Sequence, residues 1–416
     1  MLSRRFRIKK LAAREILDSR GKPTVEVWLE TGSGRVVDAA PSGASRGSQE
    51  AWELRDGKQE YWGEGVNQAV ENVNQILAPV LLGKNVRQQA EIDQLLIDLD
   101  GTKNKSRLGA NAVLPVSLAV GRAAAQAYHL PLWRYLSQLF QSLGGNHLPS
   151  LPQPSFNILN GGAHAGNQLA FQEFMVLPEQ KTFRENLRAG AEIYQGLRKI
   201  LLEAKGRGAI NVGDEGGMAP PLSQTSVALD FLQQAMAHFP QGKLALDCAA
   251  NEFYKDQFYH LDGQTFDRPK LLFFYQQLVK KYPFRFLEDP FSEEDWKGFQ
   301  EITRQLGEKV VIVGDDLLTT HIAQMKKAEE EKAVNGVIIK PNQVGTLMET
   351  FQAVAEGQKN KWKIVVSHRS GETNDDFIAD LAVGVGADFI KAGAPVRGER
   401  VVKYNRLLAI EKEINA

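Results

Sequence analysis

The sequence predicts an α/β protein: a β/α barrel in the carboxyl-terminal part, capped by a smaller α+β domain at the amino-terminal end. Three observations predict it. After about residue 150, eight short apolar segments alternate with stretches of helical spacing. Residues 7–37 instead alternate apolar and polar side chains with period two, as a β-meander does. Between them lies a long run of helix-compatible spacing. A closed barrel of strand–helix units takes roughly 250 residues, which residues 137–416 supply. We therefore expect a capping domain over 1–136 and a barrel over 137–416, with the border near Leu136. Gly144-Gly145-Asn146 and the prolines Pro149, Pro152 and Pro154 mark that boundary region.

Taken in order, the basic start Arg4–Lys10 lacks the apolar core of a signal peptide and reads as a strand. A turn is expected at Ser19–Gly21, and Thr24-Val25-Glu26-Val27-Trp28-Leu29 is the clearest alternation. Pro41–Gly47 is built of small residues and reads as a mobile loop, with a helical stretch beginning near Gln49. From Val66 to Leu139 the spacing is helical, with Ile76, Val80, Leu95 and Leu99 at helix-compatible intervals and good helix formers over Ala119–Ala127. Pro115 is expected to kink its helix or to sit in its first turn. Barrel strands are expected at Ser155–Leu159, Phe171–Leu177, Lys243–Leu246, Phe284–Leu287, Val310–Val313, Val337–Ile339, Lys363–Val366 and Phe389–Ile390. The clearest helix between them is Arg184–Lys205, with Leu187, Ala191, Tyr194, Leu197 and Leu201 on one stripe and Gly206 just past its end.

The chemistry is carried where those strands end. Val337-Ile338-Ile339 closes on Lys340, and a lysine at the carboxyl edge of a buried strand is costly unless something there needs it. Taken alone, Lys340 equally suits a side chain reaching out to solvent. Its neighbours decide the matter. Three consecutive strands run into Asp247, Glu288-Asp289 and Asp315-Asp316, and the next three into Lys340, Ser367-His368-Arg369-Ser370 and Lys391. Converging carboxylates suit a hard divalent cation, and the basic half suits an anionic substrate. The plain alternative is a ring of structural salt bridges. Glycine-rich turns add to the rim: Asn160–Asn167 with His164, Gly213–Gly217 with Asp214 and Glu215, and Gln172-Glu173 at the head of an apolar strand.

Composition excludes several classes. Fifty basic residues against fifty acidic ones leave no net charge, so bulk charge draws the chain to neither nucleic acid nor a membrane surface. No apolar run approaches the ~18 residues of a membrane span. The one cysteine, Cys248, allows no internal disulfide and no cysteine-rich zinc site, which fits a reducing compartment such as the cytoplasm.

From AREILDSRG near the start to IKAGAPVRGERVVKYNRLL near the end, the chain carries ELRDG, KNKSRLGANA, NGGAHAGN, QEFM, VGDEGG, LEDPF, VGDDL, IIKPNQVGTL and SHRSGET in that order. With these segments it resembles the enolase family over nearly its whole length. The resemblance implies an enolase-type barrel and a hydro-lyase, phosphopyruvate hydratase. Such an enzyme reversibly converts 2-phosphoglycerate to phosphoenolpyruvate and water in glycolysis and gluconeogenesis. It further implies Mg²⁺, with two ions during turnover, a small-molecule substrate, no nucleic acid or membrane partner, and a homodimer or higher homo-oligomer. A lysine or histidine base working with Mg²⁺ is general to that superfamily. Carried over by residue, Lys340 matches the base that removes the C2 proton, and Glu215 the acid that protonates the departing C3 hydroxyl, with Glu173 beside it. Asp247, Glu288 and Asp315 match the first metal site, and Ser45 a ligand of the second. Gln172, His164, Arg369, Ser370 and Lys391 match substrate contacts, and His368 another residue lining the pocket. Lys22, Arg46, Pro115 and Met218 depart from the family's usual residues. On this reading Lys340 needs a lowered pKa and Glu215 a raised one, with Glu173 helping to raise it. Two other readings are a binding protein on the same scaffold and another lyase or racemase of the superfamily.

Overall fold

The computed structural model describes residues 5–44, 47, 49–145 and 147–415. The period-two segment forms three antiparallel strands, β1 (Lys10–Leu17), β2 (Pro23–Thr31) and β3 (Gly34–Ala39), in the order β1-β2-β3. The alternation decides the buried face: Val25, Val27 and Leu29 of β2 are fully buried, and the sheet packs on the helix Ala110–Tyr128. The basic start is a strand only from Lys10 onward; Arg7 makes a single bridge to Asn85.

Three local expectations fail here. No helix begins near Gln49, because the backbone is committed elsewhere: Ala51 N donates to Gln343 O, Trp52 N to Asn104 O and Leu54 N to the Asn111 side chain. The buried stripes are Val73, Leu77 and Leu81, and then Ile92 and Leu96, each offset from the expected Ile76, Val80, Leu95 and Leu99. Residues Asn72–Leu77 are wound as a π-helix, which changes the angular register of that stretch. Pro115 is the sixth residue of a helix that runs unbroken from Ala110 to Tyr128. Burial of nearly every residue around it holds the helix together despite the missing donor.

The eight expected barrel strands all form. They are β4 (Gln153–Asn160), β5 (Glu173–Leu177) and β6 (Lys243–Asp247), then, after a small three-stranded sheet of β7 (Tyr254–Lys255), β8 (Phe258–Leu261) and β9 (Gln264–Phe266), β10 (Phe284–Glu288), β11 (Val311–Gly314), β12 (Gly336–Ile339), β13 (Lys363–Ser367) and β14 (Phe389–Lys391). They close in the order β4-β5-β6-β10-β11-β12-β13-β14. One strand departs from the parallel pattern: β5 runs antiparallel to both neighbours. Residues 161–172 between β4 and β5 hold no α-helix to carry a crossover, so the chain turns straight back.

The reversal matters for the site. It brings the amino end of β5 to the rim formed by the carboxyl ends of the other strands, with Glu173 in register between Asn160 and Asp247. Inside the barrel, Met175, Leu177, Ala245, Phe286, Val313, Ile338, Val365 and Phe389 form one buried apolar layer. Side chains two positions apart share a face. Asp247, Glu288, Asp315, Lys340, Ser367 and Lys391 each follow a layer residue by two, and Glu173 precedes Met175 by two on the reversed strand. The charged residues are therefore delivered to one mouth. No helix among the described residues is long and apolar enough to cross a membrane.

Candidate active site

At the mouth, Lys391 is almost wholly buried. Its Nζ donates to Asp247 Oδ2 (2.8 Å) and Glu288 Oε2 (2.9 Å) and lies 3.1 Å from Glu173 Oε1. One ammonium thus joins carboxylates of β6, β10 and β5. Lys340 pairs with Asp315 Oδ2, while Gln343 Nε2 donates to the other oxygen of Asp315 at 3.1 Å. Arg369 grips Glu50 with both terminal nitrogens, at 2.8 and 3.2 Å. Arg20 of the meander turn donates from Nη1 to Ser370 Oγ at 3.1 Å.

On the other side, Glu215 Oε2 accepts from Asn157 Nδ2 at 2.8 Å and lies 3.3 Å from His368 Nε2. His164 Nδ1 is 3.6 Å from Glu215 Oε1 and 3.9 Å from Glu173 Oε1. Gln172 Nε2 reaches Asp247 Oδ2 at 3.5 Å. One pocket is lined by His164, Gln172, Glu173, Glu215, Asp247, Asp315, Lys340, His368, Arg369, Ser370 and Lys391. Glu288 is fully buried and does not line it. Ser45 and Arg46 lie outside the described residues, so the expected second-metal ligand is not placed.

The protonation pattern differs from the expectation at two residues. Burial, with Glu215 beside it, holds the Glu173 carboxyl well above the usual range. Burial also opposes charge on Glu215, but His368 and His164 on either side, with Arg400 nearby, outweigh it and hold Glu215 well below that range. The Lys391 ammonium beside Glu173 is shared with two other carboxylates. At Lys340 burial opposes the charge, yet Asp315 prevails and the pKa is raised rather than lowered. The lysine is paired with a carboxylate assigned to the cation.

Two groups among the described residues bring ligand atoms within 4.8 Å of one another: His164, Glu173 and Glu215, and Asp289, Asp315 and Asp316. Of the expected Asp247, Glu288 and Asp315, only Asp315 belongs to one of them; the ammonium groups of Lys391 and Lys340 hold this set instead. The donors still fit a hard divalent cation, being carboxylate oxygens from the adjacent strands β6 and β10 and the end of β11.

The comparisons with known proteins agree with this geometry. The family model described as "Enolase, N-terminal domain" matches residues 8–136, and "Enolase, C-terminal TIM barrel domain" matches residues 149–416. The chain belongs to the enolase family. A curated enolase of Methanocaldococcus jannaschii is 49% identical over 99% of this chain and 97% of its own length. Those of Thermococcus gammatolerans and Pyrococcus furiosus are each 50% identical over 98% of this chain and 95% of their own. As an enolase-family lyase, the chain dehydrates 2-phosphoglycerate to phosphoenolpyruvate, a glycolytic step.

Four residues of this enolase-family site carry little sequence signal. Glu50 follows a loop of small residues, and only the fold carries it to Arg369, 319 positions away. Gln343 sits in the turn after Lys340 and braces Asp315. Asn157 is a polar residue between the apolar Phe156 and Ile158 of β4, which is the one clue that could have found it. Arg400 lies on the last helix, Gly398–Asn415, yet its guanidinium reaches His368.

Proposed function

We propose that Lys340 and Glu215 carry out the two proton transfers of the dehydration, and that Mg²⁺ is the required cation. The observation that supports this most is the register of the barrel, which brings carboxylates and lysines from neighbouring strands to one mouth beside Arg369. Arg369 and Ser370 bind the phosphate, the guanidinium because its fork matches two oxygens. Asp247, Glu288 and Asp315 would hold the divalent cation, which would supply positive charge to offset the second negative charge that removal of the C2 proton builds on the substrate carboxylate. Were Asp315 to bind the cation, Lys340 would lose the partner that holds its proton, and burial, Arg369 and Lys391 would oppose its charge. Lys340 Nζ takes the C2 proton. The electron pair left behind forms the C2=C3 bond as the C3–O bond breaks, and Glu215, which must first take up a proton because the free site holds it ionised, protonates the leaving hydroxide to water. Gln172, His164 and Lys391 border the bound substrate, and Glu173 holds a proton next to Glu215.

We also assign residues 1–136 to the capping domain, Ser45 to a second Mg²⁺, and the working form to a cytoplasmic homodimer or higher homo-oligomer. The support is the family resemblance and, for the compartment, the single buried thiol of Cys248. Absorbance of phosphoenolpyruvate formed from 2-phosphoglycerate, followed with Mg²⁺ and after chelation, tests the proposal. Turnover that needs no divalent cation would overturn it. A folded protein that binds the substrate without converting it would favour the scaffold reading. Light scattering tests the oligomer.

A further inference from the structure

Arg400 is among the largest side chains in the protein with no exposed surface. Gly393, at φ +83°, makes room for it: a Cβ there would lie 2.9 Å from Arg400 Cδ and 2.9 Å from the carbonyl oxygen of Glu215. The guanidinium donates to the carbonyls of Arg369 (2.6 Å), Ser370 (2.6 Å) and Asp214 (3.1 Å), tying the loop after β13 to the loop that carries Glu215. Its fourth contact is Nη1 to His368 Nδ1, at 2.7 Å.

That contact has only one chemical reading. A guanidinium carries donors and no acceptor, so His368 Nδ1 must accept. A neutral imidazole has a single N–H, which then sits on Nε2. The imidazolium would set two donors against each other, and burial drives the pKa of His368 down to about 4. Nε2 is buried, has no hydrogen-bond partner among the described residues, and lies 3.3 Å from Glu215 Oε2.

We propose that Arg400 is a positioning residue that locks His368 as the Nε2–H tautomer, so that a donor and not an acceptor lies beside Oε2 of Glu215. Asn157 Nδ2 donates to the same oxygen. Oε2 is therefore kept as an acceptor, and Glu215, ionised in the free site, takes up the proton it delivers on Oε1, the oxygen toward His164. In the step itself the Oε1–H and C3–O bonds break, the pair released at C2 becomes the C2=C3 π bond, and the proton leaves with hydroxide as water. This rests on the assignment of Glu215 as the acid.

The test begins with the unaltered enzyme. Nitrogen NMR of [¹⁵N]histidine-labelled protein resolves the ring nitrogens of its seven histidines, and His368 is identified by its loss in His368→Gln. The expected spectrum has Nε2 protonated and Nδ1 bare; a bare Nε2 or a doubly protonated ring overturns the proposal. In Arg400→Gln, the rate of water loss is expected to fall about tenfold or more and by a larger factor than C2–deuterium exchange, whatever the change in KM from loosening the Arg369–Ser370 loop, and Arg400→Lys should restore part of the loss. Unaltered water loss in a folded Arg400→Gln also overturns it. If that variant does not fold, the spectrum of the unaltered protein decides alone. Glu215→Gln separates the two readings: full water loss there removes Glu215 as the acid and leaves the tautomer assignment standing.

Discussion

Lys391 and Lys340 face Asp247, Glu173, Glu288 and Asp315 across a few ångströms, in a place where apolar residues would be more stable. Burying this many charges is costly, and the ion pairs offset the desolvation only in part. Each lysine holds carboxylates that a cation or substrate would otherwise engage, so binding has to rearrange pairs that already exist. Lys340→Ala is expected to lower C2–deuterium exchange by roughly 10²–10⁴-fold while the substrate still binds. Exchange at the unaltered rate would remove Lys340 as the base. Glu215→Gln should leave that exchange largely in place and slow water loss by a similar roughly 10²–10⁴ factor. Isotope exchange measured separately at C2 and at the C3 oxygen distinguishes the two steps, and equal losses would count against the division of labour.

At the level of elements, one register decides the site and one junction holds it. The junction is Asp93 in the helix Gln89–Asp100. It accepts from Ser117 Oγ (2.7 Å) of the helix Ala110–Tyr128, from Gln89 Nε2 (2.9 Å) and from Met348 N (3.0 Å) at the start of the helix Leu347–Lys359. Burial pushes its pKa up from 3.8 to about 7. The folded protein thus binds this proton more tightly than the unfolded chain does. The contribution of Asp93 is largest below its unfolded pKa and is lost as pH rises through about 7. Against Asp93→Asn, which cannot ionise, the unaltered protein is expected to lose up to about 4 kcal/mol between pH 4 and pH 8. Urea unfolding of both proteins across that range is the check; a difference that stays constant with pH would show that Asp93 is not buried in its charged form. Element types were legible in the sequence, since the meander, the eight barrel strands and the helix Phe183–Lys205 with its Gly206 cap all appear where local pattern places them. Buried faces were less so. A single π-helical turn shifts a stripe by one residue without changing the spacing that signals a helix.

Across the whole molecule, the meander and the barrel are joined by charge as well as by apolar packing. Arg122 binds Asp38 of β3 at 2.9 Å and, beyond β13, Asp375 at 2.9 Å and Asp376 at 3.0 Å. Removing the cation would strand three acids, two of them pushed upward mainly by burial. Arg122→Ala is expected to destabilise the protein by about 3 kcal/mol or more, read by denaturant unfolding; a loss below about 1 kcal/mol would mean that the acids find water instead. Chelation of divalent cations is expected to abolish turnover and lower the melting temperature, and Mg²⁺ at ~100 times its Kd should add back about 2.7 kcal/mol. Mg²⁺ that restores activity without any thermal shift would argue that the cation arrives only with the substrate. Asp315→Asn should weaken both effects together.

Most of the candidate site can be read from strand endings, because a strand alternates strictly and any residue two beyond an interior apolar one must face the same way. Lys340, Asp315, Glu288, Asp247 and Lys391 follow from that rule alone once the strands are recognised. The direction of β5 does not follow, since a helix-free connection of 161–172 shows its effect only when the strand finds its partners. Nor do the pairings: Glu50 with Arg369, Asn157 with Glu215 and Arg400 with His368 lie tens to hundreds of residues apart. The order of protonation between Glu173 and Glu215 belongs to the tertiary structure too. A carboxyl's own residue type sets its starting pKa, but burial and the cations brought beside it decide the shift, and those neighbours exist only in the folded chain.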